Sequence, residues 1–469
     1  TIAPATLYQG LQYAFSSSIG SCTAGTLTTT GLAAFIDYNR DGDFVDAGEK
    51  VYTSPVSLNS PGTFSNVITI PGTINAGVAK LRVIANQGNS GAGITPCMSF
   101  NWGEVEDYAV NLVIPTPCSG TPVVGATMSN YDSVCPSDVV LLSLPGLAFG
   151  TGMTFQWQSS PDNITFTNMA VANQPNVVIG SVTSPTYYRC IVTCTNSGLS
   201  VNSTVKFVKV RNIMSCYCSA IPTQTTYDDI FNVQLSTINN NSNCGSPAPS
   251  AGSVQNLYAD YSGVIPAAKM YQGLQYSFSS SIASCTNGTL TNTGLAAFID
   301  YNRDGDFIDA GEKVYSSPTA LTSPATFSGL VTVPGAISAG LCKMRVIANQ
   351  NGGNGAGITP CLTGFNWGEV EDYAINLVIP VPCTGNPITG ATFANRDSVC
   401  PSDNIILSLP NLDYALNMSF QWQSSPDNIT WTNIGAAPNA PTYSFSNPTA
   451  SLFYRCVVTC TNSGLSSNS

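Results

Sequence analysis

At 469 residues, 43% of them hydrophobic and rich in Gly (41) and Pro (30), the chain is expected to form on the order of two to four turn-rich domains of about 100 to 150 residues each. A formal net charge of −11, with 15 Lys plus Arg against 26 Asp plus Glu, argues against nucleic acid or an anionic membrane surface as partner, since both require clustered cations. The absence of histidine beside 16 cysteines excludes histidine-based catalysis and histidine-assisted zinc sites, and without paired CxxC spacing the cysteines point to disulfides formed outside the cell.

In chain order, short runs rich in Val, Ile, Thr, Tyr and Phe, such as "LRVIAN" from Leu81 and "YAVNLVI" from Tyr108, alternate with Gly, Asn, Ser and Pro clusters. They read as strands and tight turns, so the expected fold class is all-β. No long stretch has capped helical spacing; the weak exception, "YDDIFNVQLSTI" from Tyr227, also reads as a strand pair. No apolar run approaches the roughly 20 residues that span a bilayer, so no membrane insertion is expected.

The chain also repeats itself. The segment from Tyr8 matches the segment from Tyr271 at an offset of 263, rising to 265 at "NWGEVEDYA" (Asn101 and Asn366) and 266 at "YRC" (Arg189 and Arg455). Residues 204–263 occur once, and the sequence reads as a piece of something longer. Proline joints, "VIPTPCSG" from Val113 and "VIPVPCTG" from Val378, divide each period into an acidic module and a tryptophan module. The expected domains are therefore 1–114, 115–211, 212–379 and 380–469.

In the acidic module, "FIDYNRDGDFVDAGE" from Phe35 and "FIDYNRDGDFIDAGE" from Phe298 each crowd five carboxylates into fifteen positions. Asp37, Asn39 and Asp41 stand at alternate positions before Gly42, the opening half of a calcium loop, in which hard oxygen ligands recur at every second residue and glycine allows a sharp turn. The expected Ca²⁺ ligands are Asp37, Asn39, Asp41, Asp43, Asp46 and Glu49, joined by Glu104 of "GEVEDY", and in the second copy Asp300, Asn302, Asp304, Asp306, Asp309, Glu312 and Glu369. Two alternatives stand beside this: an acidic surface of turns without metal, and a carboxylate pair for glycoside hydrolysis.

In the tryptophan module, Cys135, Trp157, Tyr188 and Cys190 recur as Cys400, Trp422, Tyr454 and Cys456, the signature of an immunoglobulin-type sandwich. That resemblance implies inter-sheet bonds Cys135–Cys190 and Cys400–Cys456. The remaining pair in each copy, Cys118 with Cys194 and Cys383 with Cys460, is expected to bind the first strand to a late one. Cys22–Cys97 and Cys285–Cys361 are paired because both acidic modules share them, Cys218–Cys244 because they bracket the once-seen segment, and Cys216–Cys342 by elimination. "DSV" at Asp132–Val134 and at Asp397–Val399, within each tryptophan module, is similar to an Asp-Ser/Thr-aliphatic O-glycosylation sequon, making Ser133 and Ser398 candidates, with a plain turn as the alternative.

"FIDYNRDGDF…AGE" followed by "LRVIAN…PC…NWGEVEDYAV" resembles the GEVED domain, a family of large secreted bacterial proteins that carry immunoglobulin-like modules. The family's leading segment is matched once, by "CYCSA" through "YADYS". The resemblance implies tandem β-sandwich modules used outside the cell, alternating GEVED-type and immunoglobulin-like, and settles no activity. With no nucleophile elbow, phosphate loop or dinucleotide fingerprint, the chain is not expected to be an enzyme. The reading is a structural segment of a fibre, stalk or adhesin at the cell surface. Its partner would be itself, as a homopolymer or a covalent tandem array. A carbohydrate-binding adhesin, with Trp102 and Trp367 lining a groove for surface glycans, and accessory modules of a secreted hydrolase are the rivals.

Overall fold

The alternation in "TYYRCIVTC" turns Tyr188, Cys190, Val192 and Cys194 inward along the strand Thr186–Cys194, and this period-two burial recurs through the chain. The computed structural model describes all of the protein except residues 1–2, 21–28, 60–61, 172, 226–227, 286–291, 363, 397, 401–402 and 436. The described residues form β-strands and three short 3-10 turns, and no helix is long and apolar enough to cross a membrane. "YDDIFNVQLSTI" is the strand pair Asp228–Leu235 and Ile238–Asn241. Two compact units divide the chain, Thr1–Asn212 and Ile213–Ser469.

In the first unit, the acidic module is built on a five-stranded sheet in the order Ala5–Tyr8, Gly103–Val113, Gly77–Gln87, Thr30–Ile36, Lys50–Thr53. "TGLAAFI" (Thr30–Ile36) is buried on both faces, as the apolar run demands. One face packs Leu32, Ala34 and Ile36 against Phe15, Phe64 and Ile68 of a two-stranded sheet, Gln12–Ile19 with Gly62–Thr69; the other holds Phe35, Phe44 and Ile84. The tryptophan module pairs a three-stranded with a six-stranded sheet around Trp157, Leu142, Val192 and Val208. Its indole is fully buried and donates to the Gln174 carbonyl at 2.9 Å.

The second unit repeats both modules with two differences. Its acidic module gains strands from the once-seen segment: Asp228–Leu235 and Ile238–Asn241 extend the small sheet to four strands, and Tyr258–Asp260 pairs in parallel with Trp367–Val378. Its tryptophan module has no described strand in the place where Lys206–Val210 pairs with Thr186–Tyr188 in the first, and Phe453 there is 51% exposed. The two modules of this unit meet where Tyr271 donates to Asp413 at 2.7 Å and stacks edge-on against Tyr414.

Disulfides join Cys118 to Cys194, Cys383 to Cys460, Cys218 to Cys361 and Cys244 to Cys285. The last two overturn the expected Cys285–Cys361 and Cys218–Cys244. The once-seen segment lies across the acidic module, so Cys218 and Cys244 each reach a cysteine of that module rather than one another. The Cys135–Cys190, Cys400–Cys456 and Cys216–Cys342 pairings are also corrected: Cys190, Cys342, Cys400 and Cys456 are free thiols, all but Cys400 buried, while Cys135 and Cys216 are each disulfide-bonded. Trp157 and Trp422 thus seal sandwiches whose inner cysteine is a small apolar filler. Cys97 is free and exposed, and its expected partner Cys22 lies outside the described residues.

Candidate metal centre

The loop after Phe35 is wound by its own side chains. Asp37 accepts the N–H groups of Asp41 and Gly42, both at 3.2 Å; Asn39 accepts that of Asp41 at 3.0 Å, Asp41 that of Asp43 at 3.1 Å, and Asp43 that of Val45 at 3.0 Å. Each oxygen two residues behind an N–H makes a local turn, so alternating Asp and Asn curl the chain into a ring of carboxylates. Glu49 closes it, accepting Tyr38 N–H at 3.1 Å and Asp46 N–H at 3.3 Å. Gly42 sits at φ 98°, a conformation that disfavours side chains, and Arg40 at φ 59° is held by the carbonyls of Ala76 and Val78.

The second copy reproduces this ladder. Asp304, Asp306 and Ile308 donate to Asn302, Asp304 and Asp306 at 3.0, 3.1 and 2.9 Å, and Glu312 receives Tyr301 at 3.0 Å and Asp309 at 3.3 Å. In each copy three carboxylates converge, Asp41, Asp43 and Asp46 or Asp304, Asp306 and Asp309, with oxygen atoms within 4.8 Å of one another. An all-oxygen donor set on an Asx ladder fits a hard divalent cation such as Ca²⁺. The candidate residues therefore divide in role. Asp37, Glu49 and their counterparts Asp300 and Glu312 are buried and spend oxygens on loop N–H groups, while the converging trio is exposed in the first copy and, apart from the exposed Asp309, half-buried in the second. The Asn39 amide donates to Asp41 at 2.8 Å and Asp46 at 2.6 Å, and Asn302 bonds Asp304 and Asp309 likewise.

The copies differ electrostatically because the once-seen segment covers the second. Cys216 packs over Gly305, where an added Cβ would lie 2.7 Å from the Cys216 Cβ, and the Tyr217 hydroxyl donates to Asp300 at 2.8 Å. Burial pushes Asp300 up to about 6 and Glu312 up to about 7, with neighbouring carboxylates adding to both. Burial raises Asp304 too, whereas the exposed Asp41 is lowered by the Asp43 N–H and the Asn39 amide.

Neither Glu104 nor Glu369 joins the converging trio. Glu369 is buried among other partners, accepting Ile230 N–H at 2.8 Å and sharing a hydrogen bond with Asp229; burial and that neighbour push its carboxyl well above the ordinary value. Glu104 is exposed on the first copy's strand. Sequence reasoning placed these acids with the metal because they are acids. In the structure the strand's alternation sends Glu369 and Glu371 to one face and Asp372 to the other.

On that other face lies a network that was not anticipated. Arg345 and Asp372, register partners on adjacent strands, form a bidentate pair at 2.7 and 2.8 Å, and Lys343 bridges Asp372 at 3.2 Å and Asp260 at 2.9 Å. Tyr258 donates to Asp372 at 2.8 Å, and Arg345 donates to the Cys218 carbonyl at 2.7 Å. Burial alone would raise Asp372; the Arg345 guanidinium and Lys343 hold it below the usual range. The available signal was an arginine recurring inside an otherwise apolar strand, at Arg82 and Arg345. Of the glycosylation candidates, Ser133 is half-buried in the strand Ser133–Val134 and Ser398 is exposed; Trp102, a candidate for the glycan groove, is 67% exposed.

The GEVED family model matches residues 31–111 and 294–376, which hold both loops and both "GEVED" strands. This chain is a GEVED-domain protein. Its GEVED domains alternate with two matches to a domain of unknown function, DUF8696, at 124–212 and 389–469. No curated protein matches the chain. Among solved structures, it is similar to a tetra-tandem repeat in the extending region of a large adhesion protein, at 11% identity, covering 99% of this chain and 97% of that one, with a TM-score of 0.16. Murine CEACAM1b aligns at 12% identity over 44% of this chain and 96% of its own, with a TM-score of 0.16. Three N-terminal domains of the bacteriophage RB49 Hoc capsid protein align at 11% over 74% and 97%, with a TM-score of 0.17. Superpositions this loose carry no argument about what the GEVED protein does.

Proposed function

We propose that this GEVED protein is a structural segment of an extracellular bacterial fibre, stalk or adhesin, stiffened by Ca²⁺ and disulfides and assembled end to end with itself. The observation that carries the reading is the paired carboxylate ladder. Three carboxylates held within 4.8 Å repel one another, and two copies of that arrangement recur in modules also cross-linked by disulfides. A bound Ca²⁺ would supply positive charge and oxygen coordination there. Asp41, Asp43 and Asp46, with Asp304, Asp306 and Asp309, would hold it, while Asp37, Glu49, Asp300 and Glu312 fix the loop. Calcium titration followed by calorimetry, with negative-stain microscopy of the same samples, tests both halves. Unchanged melting under a chelator would defeat the metal reading, and monodisperse single chains at high concentration would defeat the assembly reading. One observation favours a second reading, a carbohydrate-binding adhesin: Trp102, just before the strand Gly103–Val113, is 67% exposed, and glycan-array binding lost in Trp102→Ala would support it.

A further inference from the structure

The strands Tyr258–Asp260, Trp367–Val378 and Gly340–Gln350 lie side by side in the second GEVED domain, and one charged side chain from each meets the others: Asp260, Asp372 and Lys343. Lys343 Nζ is 2.9 Å from Asp260 Oδ2 and 3.2 Å from Asp372 Oδ2. The Lys343 side chain is only 5% exposed, and its amine lies over the Tyr217 ring, 5.7 Å from the centroid. The other oxygen of Asp260 is also engaged: Ser262 donates its backbone N–H to Oδ1 at 2.9 Å and its hydroxyl at 2.5 Å. An ion pair needs only opposite charges. Here a sheltered amine meets a carboxyl group whose far oxygen is gripped by two donors, with a second carboxylate in reach of the amine's protons, and that is the equipment of acyl transfer.

We propose that Lys343 and Asp260 condense into a side-chain amide, an autocatalysed cross-link that bridges the two outer strands over Trp367–Val378. The ammonium first gives one proton to Asp260 Oδ2, leaving a neutral amine beside a carboxylic acid. The nitrogen lone pair attacks Asp260 Cγ, the C–N bond forms, and the displaced π pair moves onto Oδ1, where the two Ser262 donors stabilise it. The nitrogen then releases a second proton to Asp372, which passes it to Oδ2; the Oδ1 pair returns, the C–Oδ2 bond breaks and one water departs. The third proton stays on the amide nitrogen, Asp372 is a carboxylate again, and the net charge is unchanged. Arg345 and Tyr258 hold Asp372 in place for both transfers, by the bidentate pair and by a 2.8 Å hydrogen bond. Neither calcium nor self-assembly enters this chemistry. The bond would close a loop of 83 residues within one domain, adding to the Cys218–Cys361 and Cys244–Cys285 staples a link that reducing agents do not cut.

The test is the mass of the full chain, expressed, purified and fully reduced. It is expected to be lighter than the sequence by one water, and fragmentation of a proteolytic digest is expected to find the Lys343 peptide joined to the Asp260 peptide. Lys343→Arg, which keeps the positive charge and removes the amine nucleophile, is expected to restore the full sequence mass. Lys269 and Asp413, an ion pair at 3.1 Å with both side chains more than half exposed, are expected to remain in separate peptides of the same digest. Wild-type chain at its full sequence mass with Lys343 and Asp260 in separate peptides, or a water loss that persists in Lys343→Arg, would overturn the proposal.

Discussion

Burial turns the acids of the second GEVED domain into pH reporters. Glu312 titrates near about 7 and Asp300 near about 6 in the folded chain, against ordinary values of 4.5 and 3.8. Between those limits the folded state keeps protons that the unfolded state has released, so stability is greatest at low pH and falls as pH rises through about 7. Calcium should cancel that loss by replacing the protons as the source of positive charge. Thermal melts from about pH 4.5 to about pH 8, with and without Ca²⁺, are expected to diverge only at the alkaline end. The arginine pairs give a second prediction at this scale. Asp372 is fully buried, so Asp372→Asn strands a buried guanidinium and is expected to cost ~3–5 kcal/mol. Its counterpart Asp107 is 32% exposed, and Asp107→Asn is expected to cost less than ~1 kcal/mol in urea unfolding.

Strands of the same sequence differ in what covers them. "GEVEDY" from Gly103 is exposed through Asp107, whereas the same residues from Gly368 are buried throughout. Hydrogen exchange is therefore expected to be faster at Glu104–Asp107 than at Glu369–Asp372 in the free chain, because only the latter amides lie under a second strand. The sandwich strands place a thiol, not a disulfide, under each indole. Burial pushes Cys190 and Cys456 up to about 12, so native-state alkylation is expected to label Cys97 and Cys400 and to spare Cys190, Cys342 and Cys456. Trp157→Ala is expected to cost ~3–5 kcal/mol, since the fully buried indole leaves a large cavity in the sandwich core.

Over the whole molecule, calcium removal is expected to lower the melting of both units, and charge-neutral substitutions in one trio, such as Asp41→Asn with Asp43→Asn, to spare the other unit. The strands, the repeat and the oxygen-rich loops were legible in the sequence because each depends on residues a few positions apart: period-two burial, self-similarity, and Asx turns closed from two residues behind. The GEVED resemblance was legible for the same reason, as a run of adjacent motif residues. Cys218–Cys361 was not, because it spans 143 residues and depends on where a segment present once is laid down. Residue identity determined that the chain is all-β, twice repeated and studded with carboxylate ladders. Tertiary structure alone decided which of two identical acidic strands is buried, which cysteines meet, and which glutamates keep their protons, since burial and distance belong to the packed chain and not to the order of its residues.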